Sequence, residues 1–360
     1  MWEKIRDKRA AATVKDRFLT LSTVVRENLR IWGSADRFLC IVSKFLSMSP
    51  EVARLGHVAL ETPDIEESLS FFEDTVGLEV VERTAGTAYL RAVEEYDHHT
   101  LSLTEAAESG IDHIGWQTEE PEHVGAFAEK FESQGMDVTW IDEGVEAGQG
   151  EAIRFEVPNG HQFELYGEME KPEPPKERRS KLKNRQYDPT NNHPTAPNRI
   201  DHLQIWDGDA LECAEWIRDN LGFQEQEYYD LEDGSRWGTF LSACGVKIDL
   251  AIVQSEHADD DAAVHHIAFE VNGTRDLFEA HNVMNENGVP VDGIGQHGIS
   301  RGEFMYARDP ASGHRIEFNT GSYLTLDPHW EPVAWEENDI SDGDDHQWVG
   351  GIDSLERVTY

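Results

Sequence analysis

Two sets of two histidines and one glutamate recur along the chain at matched spacing. In each set the first histidine stands twenty residues before a glycine, the second stands fifty-one residues before the glutamate, and the glutamate closes a Gly-His-x-x-Glu motif. The sets are His57, His113 and Glu164, and then His202, His266 and Glu317. Two imidazoles and one carboxylate form the facial set that holds non-heme Fe(II) and leaves coordination positions open. The sequence therefore predicts a repeated fold that carries a metal-ligand frame.

The elements between these residues follow one order in both copies. Hydrophobic periodicity predicts a strand, a helix and three further strands, and this β-α-β-β-β unit recurs four times. The predicted helices cover residues 65–76, 121–134, 210–221 and 274–287. We therefore expect an α+β fold in which the four units form two curled mixed sheets.

Strand alternation indicates which side chains can meet. It places His202, His266 and Glu317 opposite the apolar, helix-facing side of their strands, whereas His265 falls on that apolar side. A single histidine of this kind is usually a solvent-side residue of an ordinary strand. Three such residues at repeated spacing favour convergence inside a curled sheet.

The amino-acid composition narrows the range of possible partners and locations. Seventy-one acidic and thirty-one basic residues give a net charge of -40, which disfavours nucleic acid and anionic membranes as partners and is typical of a halophilic protein. No apolar run reaches membrane-spanning length. Three cysteines without paired spacing indicate a reducing, cytoplasmic location.

Changes in composition suggest domain boundaries. Residues 1–47 hold ten Lys or Arg and five Asp or Glu, so we interpret them as a basic extension. Translation from Met48 is the favoured explanation, and a genuine appended helix is the alternative. The remaining predicted segments are an N-terminal structural module at 48–170, a proline-rich linker at 171–198, a C-terminal metal-binding catalytic module at 199–322, and a tryptophan-containing arm at 323–360.

The stretch from His297 to Glu317, with Tyr306 nine residues after His297, resembles the signature of the type I extradiol ring-cleaving dioxygenases. These proteins belong to the vicinal oxygen chelate superfamily, and the resemblance is to its catechol 2,3-dioxygenase-like and homoprotocatechuate 2,3-dioxygenase-like members. It extends over nearly all of Met48 to Trp348. The resemblance implies two glyoxalase/bleomycin-resistance-like modules.

The same resemblance implies a function. It assigns His202, His266 and Glu317 to Fe(II), or less often Mn(II), and gives His297 and Tyr306 roles in binding substrate and steering protons. The implied reaction opens a catechol-type ring with O2 to a muconate semialdehyde. A homo-oligomer is also implied.

Some positions depart from the family pattern. Relatives carry a His-Asp pair where this chain has Ile248-Asp249. Either the alignment is shifted, or His265, His297 or water replaces that histidine, or oxygen activation is slow and the reaction differs.

In the first module Arg154 stands at the place of Tyr306, so we expect that module to be structural and the chain to bind one metal ion. A second metal at His57, His113 and Glu164, without ring cleavage, is the alternative. A glyoxalase-like isomerase or hydrolase, or a ligand-binding protein without catalysis, are the alternative functions.

Two observations bear on the substrate. Trp237 and Phe240 are candidates for stacking on an aromatic ring, with core packing as the alternative. Asp292 stands near His297 where an arginine would suit an acidic substrate. A neutral catechol is therefore favoured.

Overall fold

Two mixed β-sheets form the part of the chain that the computed structural model describes, which is residues 50–171, 176, 193, 195–255, 263–327 and 329–336. The first sheet has eight strands in the order β2-β3-β4-β1-β5-β8-β7-β6. Its strands are β1 Val52–Thr62, β2 Glu79–Arg83, β3 Thr87–Arg91, β4 Leu101–Glu105, β5 Gly110–Thr118, β6 Thr139–Ile141, β7 Ala152–Glu156 and β8 Gln162–Tyr166.

The second sheet repeats this order and adds one strand. It runs β14-β15-β16-β13-β9-β12-β11-β10-β17. Its strands are β9 Arg199–Asp207, β10 Gln224–Asp230, β11 Arg236–Ser242, β12 Leu250–Gln254, β13 Ala263–Glu270, β14 Val291–Gln296, β15 Glu303–Arg308, β16 Arg315–Thr320 and β17 Val333–Glu336. In each sheet an antiparallel central pair, β1 with β5 or β9 with β13, is flanked on either side by one parallel pair. The added strand β17 also pairs in parallel, with β10. The expected α+β fold with four repeated units is confirmed.

The helices lie where the periodicity predicts them. They are α1 Ile65–Leu69, α2 Glu122–Ser133, α3 Ala210–Leu221 and α4 Thr274–Glu286. The Asp64 side chain accepts a hydrogen bond from the backbone amide of Glu67 at 3.0 Å and so caps the start of α1. Gly77, with φ 89°, ends this helical segment. Between α1 and Gly77, Ser70–Val76 form a π-helical segment, which the periodicity does not distinguish from α-helix.

One continuous apolar core lies between the sheets and the helices of both modules. The Trp116 ring of the first module packs edge-on against Phe223 of the second, with ring centroids 4.9 Å apart. Phe155 and Trp216 also pack across the modules, with tilted rings whose centroids are 6.1 Å apart. Because these rings are shared, the two modules bury apolar surface in common.

The histidine of each Gly-His-x-x-Glu motif joins the modules. His161 Nε2 lies 2.9 Å from the carbonyl oxygen of Trp206, and His314 Nε2 lies 2.9 Å from that of Glu61. Burial lowers the pKa of His161 to about 4 and also lowers that of His314, so both imidazoles are neutral near pH 7 and donate to these carbonyls. The repeated motif therefore also contributes a reciprocal contact between the modules.

Some sequence-based expectations fall beyond the described residues. They concern the extension at 1–47, most of the linker at 171–198, and Trp348 in the arm. Within the described part, no helix is long and apolar enough to cross a membrane.

Candidate active site

Three adjacent strands of the second sheet bring together the two histidines and the glutamate of the second set. In the β9–β13 pair Gln204 lies opposite His266, and in the β13–β16 pair Ala268 lies opposite Glu317. The Nε2 atoms of His202 and His266 are 3.2 Å apart. Glu317 Oε2 lies 2.8 Å from His266 Nε2 and 3.6 Å from His202 Nε2. One donor atom of each side chain therefore lies within 4.8 Å of the other two.

A β-bulge at His265 changes which side chains face this cluster. Val264 lies opposite Ile205 and His266 lies opposite Gln204, which leaves His265 as an extra residue in β13. The expectation that His265 faces the helices is wrong, because the bulge turns His265 and His266 to the same side. Their Nδ1 atoms are 2.6 Å apart, and both residues line one cavity.

The three side chains suit a divalent metal ion. Both oxygens of Glu317 are buried, and neither receives a hydrogen bond of good geometry from the residues that the structure describes. Burial alone would favour the neutral acid, but His266 and His202 hold the pKa of this carboxyl well below its usual range. An ionised, buried carboxylate beside two imidazoles needs a cation, and this donor set is the one that Fe(II) and Mn(II) accept.

Asp201 orients the first of these histidines. The Nδ1 atom of His202 lies 2.9 Å from the Asp201 carboxylate, which also accepts a hydrogen bond from Asn319 Nδ2 at 3.0 Å. A proton held on Nδ1 leaves the Nε2 lone pair directed at Glu317. Burial disfavours a second proton on His202, but the hydrogen bond to Asp201 and the nearby Glu317 carboxylate outweigh it and raise the pKa to about 9. A metal ion would displace that proton.

Replacing Asp201 by asparagine should weaken metal binding without removing a proposed ligand. Partners that orient metal-bound histidines typically contribute about 10- to 100-fold in affinity. We expect the dissociation constant for Mn(II) at the cluster to rise by about that factor in Asp201→Asn, measured by titration of chelator-stripped protein. Asp219→Asn, at an exposed position on α3, is the matched control. Equal affinities in the two variants would contradict the role given to Asp201.

His297 and Tyr306 form a pair beside the cluster. His297 Nε2 lies 3.1 Å from the Tyr306 hydroxyl, and the His297 ring stacks on Phe304 at a centroid distance of 4.1 Å. The Tyr306 ring lies 5.2 Å from that of His266. Burial lowers the pKa of His297 to about 4 and raises that of Tyr306 well above its usual value. At neutral pH the pair is therefore an uncharged imidazole next to a protonated phenol.

The turn that carries His297 is held by the buried carboxylate of Glu227. Glu227 accepts the Ser300 amide at 2.9 Å, the Tyr323 hydroxyl at 2.5 Å and the Trp335 indole N–H at 2.6 Å. Trp335 belongs to β17, which pairs in parallel with β10. One carboxylate thus ties the turn between β14 and β15 to the C-terminal arm.

A cavity of about 340 Å3 opens beside the cluster. It is bounded by the ligand cluster, by His297 and Tyr306, and by Tyr323 and Leu324 of the arm. Trp237, Phe240 and Ile248 also line it, whereas Asp292 does not. Its volume falls within the usual range for small-molecule sites, about 300–1,000 Å3. The two candidates for ring stacking, Trp237 and Phe240, therefore line the same cavity as Ile248, the residue that departs from the family pattern.

The first sheet brings its own set together in the same way. His57 Nε2 and His113 Nε2 are 2.9 Å apart, and Glu164 Oε1 lies 3.8 Å from the first and 3.7 Å from the second. Arg154 lies opposite Glu164 in the β7–β8 pair, as Tyr306 lies opposite Glu317 in the β15–β16 pair. Arg154 and Tyr306 therefore occupy equivalent positions in the strand register as well as in the sequence.

Two family models match the chain. The Glyoxalase/Bleomycin resistance protein/Dioxygenase superfamily matches residues 199–318, and the catechol 2,3-dioxygenase-like N-terminal domain matches residues 111–170. The chain is 41% identical over 298 residues to a manganese-dependent 2,3-dihydroxybiphenyl 1,2-dioxygenase from Geobacillus genomosp. 3, covering 82% of this chain and 94% of that protein. The chain belongs to the extradiol ring-cleaving dioxygenases.

Other relatives agree with this family. The enzyme is 33% identical to a metapyrocatechase from Geobacillus stearothermophilus, over 83% of this chain and 90% of that one. The 2,3-dioxygenase LapB from a Pseudomonas species superposes with a TM-score of 0.72 at 30% identity, covering 81% of this chain and 99% of that one. Homoprotocatechuate 2,3-dioxygenase from Arthrobacter globiformis superposes with a TM-score of 0.71 at 25% identity, covering 81% and 86%. The family resemblance read from the sequence is confirmed.

Three buried acidic residues are not among those that the sequence singles out. Asp201 directly precedes His202, so an Asp-His pair is a signal that could have identified it. Glu227 lies in a strand whose acidic residues look alike in sequence, and Glu146 lies in the loop between β6 and β7. Only the fold shows that these two carboxylates are buried.

Proposed function

We propose that this enzyme opens the aromatic ring of a catechol-type substrate beside its diol, with a divalent metal and O2, to give a muconate semialdehyde. The observation that carries the proposal is the shared cavity. His202, His266 and Glu317 line the same space as His297 and Tyr306, so a diol bound at the cluster would lie within reach of the imidazole and the phenol. The expected ligands and catalytic residues are these same five.

The metal is proposed to be Fe(II) or Mn(II). The donor set suits both ions, and the relative from Geobacillus genomosp. 3 is named as manganese-dependent. When bound, the ion would supply Lewis acidity to the diol and open positions for both substrates. His202, His266 and Glu317 would hold it, and Asp201 would keep His202 in the binding tautomer.

Proton transfer is assigned to His297 together with Tyr306. Ile248 lines the cavity where relatives carry the histidine of a His-Asp pair, and an alkyl side chain cannot move a proton. His297 is neutral near pH 7, so its imidazole can accept a proton from the bound diol or donate its own to the opening ring. The Tyr306 hydroxyl, 3.1 Å away, keeps this imidazole in place.

The substrate is proposed to be a neutral, apolar-substituted catechol. Among the described residues, two cationic side chains line the cavity, and both are already paired: Lys247 with Asp249 at 2.9 Å, and Arg199 with Glu270. A carboxylate on the substrate would therefore lose its hydration without gaining a free cation. Trp237 and Phe240 offer aromatic surface instead.

Oxygen uptake tests this function. Chelator-stripped enzyme would be loaded with Fe(II) or Mn(II) without oxygen and then mixed with aerated catechol, 2,3-dihydroxybiphenyl or 3,4-dihydroxyphenylacetate at high salt. We expect one O2 consumed per neutral diol, with a yellow product. A rate at least about tenfold lower is expected for the acidic diol, since an unpaired carboxylate costs more than 1.4 kcal/mol.

Resorcinol, whose hydroxyl groups cannot share a metal ion, is the matched control. No uptake with any diol after loading with either ion would contradict the proposed reaction. A preference for the acidic diol would contradict the substrate assignment alone.

The remaining expectations from the sequence stay predictions. They are a cytoplasmic location, a halophilic source, a homo-oligomeric assembly and the domain limits given above. Size-exclusion chromatography with light scattering would test the assembly, and a monomeric mass would contradict it.

A further inference from the structure

The cluster in the first sheet has a feature that the second lacks. The loop between β6 and β7 contributes Glu146, which has no counterpart in the repeated set. Glu146 Oε1 lies 3.0 Å from His113 Nε2, and Glu146 Oε2 lies 3.4 Å from His57 Nε2. His57, His113, Glu146 and Glu164 each offer one donor atom, and these atoms lie within 4.8 Å of one another.

We propose that these four side chains bind a second divalent transition-metal ion, at a closed structural site in the N-terminal module. Two imidazole nitrogens and two carboxylate oxygens are a donor set that Zn(II) and Mn(II) accept. The inference goes beyond ring cleavage, which is assigned to the other sheet.

Each of the two carboxylates directs one oxygen at the histidines. Glu146 is 8% exposed, and its Oε2 atom accepts no hydrogen bond from the residues that the structure describes. Arg154 donates to the other oxygen, Oε1, at 2.6 Å, and to Glu164 Oε2 at 2.6 Å. Glu164 Oε1 faces the histidines and accepts one hydrogen bond, from Gln149 at 2.6 Å. Arg154 therefore orients both carboxylates, as partners of metal ligands commonly do, and its Nη2 atom also lies 3.4 Å from His113 Nε2 at the edge of the cluster.

One histidine of this cluster is oriented in the same manner as one in the second sheet. His113 Nδ1 lies 2.8 Å from the Asp112 carboxylate, as His202 Nδ1 lies 2.9 Å from that of Asp201. This partner leaves the Nε2 lone pair of His113 directed into the cluster. A Cβ atom at Gly115 would overlap the His57 ring, so only a glycine at this position leaves room for that ring.

The net charge of the cluster also favours a bound cation. With neutral imidazoles, the carboxylates of Asp112, Glu146 and Glu164 and the guanidinium of Arg154 sum to -2. A divalent ion brings this mostly buried group to zero, whereas an uncompensated charge in the interior is costly.

The burial of the site makes it structural. His57 and Glu164 are fully buried and His113 is 1% exposed, and none of these residues lines the cavity that contains the proposed catalytic pair. Metal sites enclosed by four protein ligands stabilise folds, while catalytic sites keep a position open for substrate. The ion would hold β1, β5, β8 and the β6–β7 loop together.

Metal content of four versions of the full chain tests the proposal. Each would be stripped with chelator, loaded with Zn(II) or Mn(II), freed of excess ion by gel filtration and measured by mass spectrometry of the metal. The first variant is the double substitution His202→Ala with Glu317→Gln, which removes the proposed active-site metal. The second is Glu146→Gln, and its matched control is Glu143→Gln, at an exposed position in the same loop.

We expect two equivalents per chain in the unsubstituted protein and in Glu143→Gln, and one in each of the other two. Metal retained by the double variant should raise its Tm by about 4 °C when free ion is present at about 100 times its Kd. Its X-ray absorption spectrum should show a nitrogen and oxygen shell with two imidazoles.

The double variant alone decides the question if Glu146→Gln does not fold. A folded double variant that retains no metal, and whose Tm is unaffected by either ion, would overturn the second site. In that case Arg154 and a proton on His113 reduce the charge of the cluster to -1 instead. Loss of metal from the double variant and from Glu146→Gln are separate results, so failure of one site does not hide the other.

Discussion

Replacing His202 by alanine is expected to abolish ring cleavage, with kcat/KM falling by more than about 1,000-fold. Lewis acid stabilisation by a bound metal is worth several kcal/mol, and each 1.4 kcal/mol is a factor of ten in rate. With one of three ligands removed, Glu317 and His266 cannot retain the ion at the concentrations used in assays. The measurement is oxygen uptake with catechol, together with the metal content of the same sample.

The control for this variant is His281→Ala, on helix α4 away from the cavity. It should keep full activity and full metal content. The His202→Ala protein should lose one equivalent of metal relative to the control, while its circular dichroism spectrum stays unchanged. Wild-type rates in His202→Ala would show that the metal chemistry lies elsewhere in the chain.

Replacing His297 by asparagine should lower kcat by about 100-fold or more, with little change in metal content. General acid and base catalysis typically contributes about 100- to 10,000-fold, and the cavity wall at Ile248 offers no substitute. Asparagine keeps a hydrogen-bonding side chain beside Tyr306 but cannot exchange a proton near pH 7. Stopped-flow absorbance of the yellow product, with iron or manganese analysis, measures both quantities.

The pH dependence of kcat distinguishes proton transfer from mere packing. Because burial holds the pKa of His297 near 4, the imidazole is neutral above that pH and becomes protonated as the pH falls through it. The wild-type rate should therefore fall as the pH drops towards 4, and this limb should be missing in His297→Asn. Gln296→Ala serves as the neighbouring control. An unchanged kcat in His297→Asn would remove this residue from the mechanism.

The sequence predicts the fold well because its spacing is repeated. The order of strands and helices follows from two patterns. Polar and apolar side chains alternate along each strand, and glycines such as Gly77 end the helices. The convergence of His202, His266 and Glu317 follows from that order, since central strands of a curled sheet direct one face to a common point.

Strand alternation alone could not place His265. A bulge adds one residue to β13 opposite Gln204 and reverses the alternation from that point. Nothing in the local sequence around His265 marks a bulge, because β-branched, apolar and histidine residues continue through it. The extra residue becomes visible only when the partner strand is known.

Carboxylates that make contacts far along the chain were equally impossible to identify from the sequence. Glu146 reaches the first cluster from a loop, and Glu227 reaches Ser300 and Trp335 across more than seventy residues of chain. In a protein with seventy-one acidic residues, the few that are buried do not differ in type or spacing from those on the surface. Which carboxylates are buried is decided by tertiary packing.

An anomalous difference map from crystals loaded with Mn(II) is the most direct test of the central claim. We predict a strong peak about 2.2 Å from His202 Nε2, His266 Nε2 and one oxygen of Glu317, on the wall of the cavity that holds His297. A map with no peak at these three atoms, from crystals of protein that cleaves catechol, would contradict the account.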